Sequence, residues 1–304
     1  MGETKNTKNE KKSAWKNFLE SEFFYHYKHN LPAIIGSILV LIAILVAVFG
    51  KLLAPQNPYD LTQINLMDSY LPPAWSEGGS MKFLLGTDNQ GRDILSAIIY
   101  GSVSSLTIGM VGMLASCLIG TTLGLIAGYF GGKVDSVIMR IADIQLSFPS
   151  MLIALFIMSV FGRGIDKLLI ALTMVGWVKY ARTVRGETLS VRKKEYVEAA
   201  RTIGLPNHRI ILKHVMPNVV TSIIVLATIQ VGDFILTEAT LSFLGVGVPI
   251  TEPSLGLLVK TGFDVLFSGL WWASVFPGLY IMLVVFGINL LGDFLRDELN
   301  PNLK

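Results

Sequence analysis

Six apolar runs separated by polar intervals set the pattern of the chain. They cover residues 31–50, about 104–128, about 137–161, about 168–184, about 217–240 and about 272–291. A hydrocarbon core about 30 Å thick needs about 20 helical residues to cross, so the pattern predicts six membrane-spanning helices. Pro32 stands at the start of the first run, where its missing N–H is tolerated. That run is too long for a signal-peptide core and no small-residue cleavage site follows, so it reads as an uncleaved anchor. Residues 1–14 are polar, Lys-rich and expected to be disordered. Trp15, Phe18, Leu19, Phe23 and Tyr27 then follow a rough helical spacing. They predict an amphipathic helix on the membrane surface, the alternative being an irregular tail with scattered aromatics.

The division that follows is a tail of residues 1–30, a first span at 31–54, an outer loop at 55–100, a five-helix core at 101–295 and a short tail at 296–304. Composition agrees: 52% of residues are hydrophobic and 15% charged, against about 25% charged in soluble domains. The mean hydropathy is +0.56. The single cysteine, Cys117, leaves no disulfide or cysteine-based metal site within one chain.

The net charge of +3 says less than its placement. The N-terminal tail, the connections between spans two and three and between spans four and five together with the span ends beside them, and the C-terminal end hold 19 Lys and Arg residues; the opposite set of loops holds six. Under the positive-inside rule both termini and the interval around 190–216 are cytoplasmic, and the 55–100 loop faces outward. Trp271 and Trp272 at the start of span six suit a membrane interface.

Span two carries Gly112, Ser116, Gly120, Gly124 and Gly128, small residues at every fourth position and so on one stripe of a helix. Such a stripe lets backbones approach closely in lipid, within the chain or against a partner. Pro149 and Pro277 can kink spans three and six. Ionisable residues inside spans are costly and point first to function. Asp233 could line a polar pathway or bond a neighbouring helix; Glu238 could do the same or anchor an outer loop. Asp143, three residues after Arg140, could pair with it on one helix face.

Catalytic patterns fail. The four histidines make no HExxH pair, and no G-x-S-x-G elbow is present. "GYFGGKV" and "GLLVKTG" lack glycines that a phosphate cradle needs, so this chain is not expected to bind ATP itself. "GTDNQGRD" (86–93) does not match a calcium loop and reads as a turn, with Asp93 capping the helix into span two.

Between spans four and five lies "EYVEAARTIGLPNHR" (195–209). Tyr196, Ala199, Ala200 and Ile203 have the spacing of one helix face, and Glu198 can pair with Arg201. Gly204 suits a helix C-cap, and Pro206 can open a second helix carrying Ile210, Ile211, Leu212 and Val215. The prediction is a short cytoplasmic helical hairpin tethered at both ends, offering a small Ala199–Ala200 surface to another protein; a simple surface loop is the alternative. Its short tethers to the bilayer count against DNA binding.

"EAARTIGLPNHRIILKHVMPN" resembles the EAA motif of permease subunits of binding-protein-dependent ABC importers, through Glu198, Ala199, Ala200, Gly204 and Pro217 and across Leu205 and Pro206. His214 and Met216 replace the motif's Ile and Leu. "LLGTDNQGRDILSAIIYG", "GLIAGYFGGKVDSVIMRIADI", "TEATLSFLGVGV" and "EPSLGLL" are similar to the C-type permeases of dipeptide, oligopeptide and nickel importers. The resemblance implies an all-α integral membrane protein with the type I ABC importer permease fold and a coupling helix that docks on an ATPase. It implies a heterodimer with a B-type permease, two ATPase subunits that bind ATP and Mg, an extracytoplasmic solute-binding protein, membrane lipid and no nucleic acid. Peptide transport is the leading expectation and nickel the alternative. A secondary transporter driven through Asp233 would need inverted repeats, and none is evident; an intramembrane enzyme would need a nucleophile–base set.

Overall fold

The computed structural model describes residues 22–60 and 62–299, and every helix or strand element named among them is a helix. The 1–14 tail, the Trp15–Leu19 part of the expected amphipathic helix and residues 300–304 lie outside the described residues. Helix α1 (Glu22–His29) turns its aromatic face inward. Phe23 and Tyr27 meet the ring of Phe294 at 5.5 and 5.7 Å, and His26 Nδ1 lies 2.9 Å from Glu298 Oε2. The face assigned to the membrane surface is therefore partly spent on the last helix.

Helix α2 (Leu31–Leu53) starts at Asn30, whose side chain accepts from Ala33 N at 3.0 Å, with Pro32 in its first turn. Helix α3 (Ile94–Phe130) begins about ten residues before the expected start of span two. Asp93 caps it as expected, its Oδ2 accepting from Ser96 N at 2.8 Å. The polar loop thus ends at residue 93, because Ile94, Ala97, Ile98 and Ile99 are buried and extend the helix.

Span three is not one helix. Helices α4 (Gly132–Leu146) and α5 (Ser150–Phe161) meet at 87°. Proline bars the residue before it from helical dihedrals and donates no N–H, so Pro149 ends one helix and starts the next. Pro277, by contrast, lies inside a continuous helix. Helix α6 (Ile165–Val191) runs beyond the expected span, followed by α7 (Glu195–Thr202), α8 (Asn207–Ile210), α9 (Met216–Phe243), α10 (Leu255–Phe263) and α11 (Trp272–Leu299).

Among the described residues, four helical stretches are long and apolar enough to cross a membrane: Leu31–Gly50, Ile94–Phe130, Asn207–Phe243 and Trp272–Leu299; the bent pair makes a fifth if it is one span. The remaining predicted span is α6, which has the length but carries Lys179, Arg182 and Arg185.

The stripe of small residues faces α6. A β-carbon on Gly120 would stand 2.3 Å from Trp177 O and one on Gly124 2.6 Å from Ala181 O. One on Gly128 would stand 2.6 Å from Thr188 Cβ, and Gly112 faces Phe234 and Leu172. Buried Ser116 lies against Gly176 of α6. A second glycine crossing joins α2 to α11, where a β-carbon on Gly36 would sit 2.8 Å from Gly287 O. Helix α9 packs on α3, α6 and α11 and closes the core.

The 54–93 segment folds over one end of the bundle. Arg92 Nε donates to Asp88 Oδ2 at 2.6 Å, Thr87 Oγ1 accepts from Leu71 N at 2.8 Å, and Trp272 Nε1 donates to Thr87 O at 3.2 Å. Trp272 is therefore a buried packing residue under this loop rather than an interface anchor; Trp271 is partly exposed.

Asp93 carries a cost inside this cap. Its Oδ1 is buried without a hydrogen-bond partner, and burial holds its carboxyl above the ordinary range against the pull of the Ser96 bonds. A raised acid favours the neutral form, so its contribution to stability is present below the unfolded pKa and is lost as pH rises. Asparagine caps helices as well as aspartate and carries no charge. Asp93→Asn is expected to match or exceed the wild type in thermal stability at pH 7, whereas Asp93→Ala loses about 1 kcal/mol. A less stable Asn variant would show that the charge is favourable.

Candidate functional site

The connection between α6 and α9 forms a compact elbow at the opposite end of the bundle from the 54–93 cap. It is tied to the end of α3. Arg192 Nη1 donates to Gly128 O at 2.9 Å and Tyr129 O at 3.2 Å, placing a cation on carbonyls that have no helical partner. Tyr129 Oη donates to Asn207 Oδ1 at 2.9 Å, so the far side of the elbow is fixed to the same helix end.

Within α7 the expected single face divides. Val197 and Ala200 are buried, while Tyr196, Ala199 and Ile203 point outward, Ile203 with 76% exposure. Glu198 makes no ion pair among the described residues; Arg201 instead lies over the Tyr129 ring at 5.4 Å. Gly204 has φ of +81° and ends the helix. Leu205 N bonds Ala200 O at 3.2 Å and Gly204 N bonds Arg201 O at 3.0 Å, which satisfies carbonyls of the last turn. Among the described residues nothing lies within 4 Å of a β-carbon placed on Gly204.

The predicted second helix of a hairpin is not separate. Pro206 starts α8, whose chain passes through a π-helical turn at Ile211–Val215 directly into α9. Residues Asn207–Phe243 therefore form one helical rod. Pro217 lies in the turn after the π segment, where Met216 N reaches back to Ile211 O. The wider turn fits a proline that can neither donate to the residue four before it nor tolerate that carbonyl close by. Leu212 on this turn is 62% exposed, so the elbow presents apolar side chains from both of its arms.

The polar residues inside the bundle form interhelical contacts that sequence spacing only partly indicated. Asp143 pairs with Arg182 of α6, not with Arg140. Asp135 takes Arg185 at 2.6 Å, and Lys179 Nζ lies 2.7 Å from Asp233 Oδ2. Positions 179, 182 and 185 fall three apart on one side of α6, a spacing that signals a charged helix face. Glu238 is fully enclosed. It accepts from Ser105 at 2.6 Å, Ser254 at 2.8 Å and Ser242 at 2.9 Å, which joins α3, α9 and the residue capping α10. It lines no path. Asp233 is the half-exposed acid of the two.

An exposed elbow, a core of long apolar helices and interhelical charge pairs describe a helical membrane protein with that elbow at one end. Residues 120–304 match the family model of the binding-protein-dependent transport system inner membrane component, and residues 13–73 match the N-terminal TM domain of oligopeptide transport permease C. The dipeptide transport system permease protein DppC of Escherichia coli strain K12 is 42% identical over 285 residues, 93% of each chain. DppC of Haemophilus influenzae is 38% identical, covering 93% of this chain and 95% of that protein. The oligopeptide transport system permease protein OppC of Bacillus subtilis is 37% identical, covering 96% and 91%. In fold, a chain of the MetNI methionine ABC transporter in inward facing conformations matches with a TM-score of 0.53 at 17% identity, over 67% of this chain and 96% of that one. Its own helical order agrees with this type I importer permease fold, and the chain belongs to the inner membrane components of binding-protein-dependent transport systems, in the branch of the C-type permeases of dipeptide and oligopeptide systems.

Proposed function

We propose that this chain is one permease half of an ABC importer for short peptides and that the 195–217 elbow couples it to a separate ATPase. The observation that carries the proposal is the elbow itself: Tyr196, Ala199, Ile203 and Leu212 stand exposed at the end of a rod that runs unbroken into the bundle. ATP and Mg belong to two ATPase partners, since no phosphate-binding glycine pattern is present in this sequence. A B-type permease completes the membrane domain, and a solute-binding protein meets the 54–93 cap outside the cell. Both termini and the elbow are cytoplasmic, and α6 is the sixth span. The relatives described above are named for di- and oligopeptides, which favours peptide over a nickel chelate. A secondary transporter driven by Asp233 is disfavoured, because Lys179 already neutralises that acid.

Two substitutions at Gly204 test the coupling. A left-handed backbone costs a residue with a β-carbon about 1–2 kcal/mol, and that strain is shared by alanine and tryptophan. Gly204 is exposed, and among the described residues nothing lies within 4 Å of a β-carbon placed there, so a larger side chain has room to point outward. Gly204→Ala is expected to retain ATPase co-purification and peptide import, and Gly204→Trp to lose both while inserting normally. Import with normal ATPase association by the Trp variant would remove the elbow from the mechanism.

A further inference from the structure

Lys179 and Asp233 are placed for more than holding α6 to α9. Their side chains are 54% and 42% exposed although both residues lie well inside long helices of the bundle. Asp233 is ten residues from the end of α9 at Phe243, about 15 Å at 1.5 Å per residue, which is near half the depth of a core about 30 Å thick. A charge facing lipid at that depth costs upward of about 2.5 kcal/mol. This face therefore meets water or protein. Glu238, on the same helix, shows the structural alternative: it is enclosed and its oxygens are taken by three serine hydroxyls. Of the three closely spaced cations of α6, Arg182 and Arg185 pair with acids of α4, and only Lys179 reaches α9.

Resting on the peptide-permease reading, we infer that Lys179 and Asp233 recognise the two termini of a zwitterionic peptide. The pair opens, the peptide's N-terminal ammonium takes the Asp233 carboxylate, and its C-terminal carboxylate takes the Lys179 ammonium. Lys179 can move apart from Asp233 because its charge rides on a flexible four-carbon arm. The exchange leaves no charge unpaired at bilayer depth. A peptide blocked at one end leaves one member of the pair without its partner, which is costly for a charge at that depth of the bilayer. Between passages the closed pair is neutral and offers no net charge to stray ions.

The test uses the detergent-purified complex of both permeases and the ATPases, without the solute-binding protein, so that selection by that protein is absent. Binding of radiolabelled dialanine is competed by dialanine, N-acetyl-dialanine and dialanine amide. A lost charge-assisted hydrogen bond is worth about tenfold or more. The wild type is expected to prefer dialanine over each blocked form by at least about that factor. Asp233→Asn should lose the preference for a free N-terminus alone, and Lys179→Met the preference for a free C-terminus alone. Unchanged preferences in both variants, equal competition by blocked peptides in the wild type, or no saturable dialanine binding each overturn the inference. Dialanine import by the complete wild-type system is measured in parallel. Its absence would sink the peptide reading, whereas import with unaltered preferences would sink only the assignment of the pair.

Discussion

Gly120→Ala is expected to destabilise the folded protein by roughly 1–3 kcal/mol, the range of core overpacking. The new methyl would stand 2.3 Å from Trp177 O and 2.5 Å from Tyr180 Cβ, so it meets main chain, which cannot step aside as a side-chain tip can. Helices α3 and α6 must part along a seam that Gly124 and Gly128 also hold closed. Gly278→Ala is the matched control. It is the same chemical change inside α11, and among the described residues nothing lies within 4 Å of the added carbon. There the change should raise stability by up to about 1 kcal/mol, the difference in helix propensity. Thermal unfolding in detergent reads both. Equal effects of the two substitutions would mean that the α3–α6 seam is looser than its geometry states.

Glu238→Ala should be comparably damaging, at about 2–5 kcal/mol, because it removes a buried side chain and strands the hydroxyls of Ser105, Ser242 and Ser254. Ser254 caps α10 through Leu257 N, so the segment between α9 and α10 loses its anchor along with the core. Faster proteolytic cutting between residues 245 and 254 should accompany the lower unfolding temperature. Glu238→Gln keeps an acceptor and most of the volume, and should fall between the wild type and the Ala variant. An Ala variant with wild-type stability and an uncut segment would show that the three serines find other partners.

Much of this architecture could be read from period and punctuation. The apolar runs marked the helices, and the cap at Asp93 and the C-cap at Gly204 were visible in residue type alone. What was missed has a common cause: one-dimensional spacing says which residues share a face but not what the face meets. Tyr196, Ala199, Ala200 and Ile203 share a helical spacing, yet only Ala200 turns into the protein. Arg140 was near Asp143 in sequence, but Arg182 reaches it from another helix. Pro149 looked like a kink and proved a break, since the residues before it could leave the helix without losing a buried partner; Phe148 is exposed. Helix α3 begins about ten residues before the expected span, and the serines of that added stretch, Ser96 and Ser102, are buried and hydrogen-bonded, so polar residue types there mark packing inside the protein.

The unbroken helix from Asn207 to Phe243 has a mechanical corollary. Asn207 and Glu238 are 31 residues apart on it, about 46 Å at 1.5 Å per residue. With no hinge between them other than the five-residue π turn, a tilt of about 5° at the inner end sweeps the outer end through an arc of roughly 4 Å by that same length. That arc would carry the Glu238 carboxylate past hydrogen-bonding range of Ser105 unless α3 travelled with it. The two ends of this helix would then shift in a single rigid-body event, with no relay of side chains required.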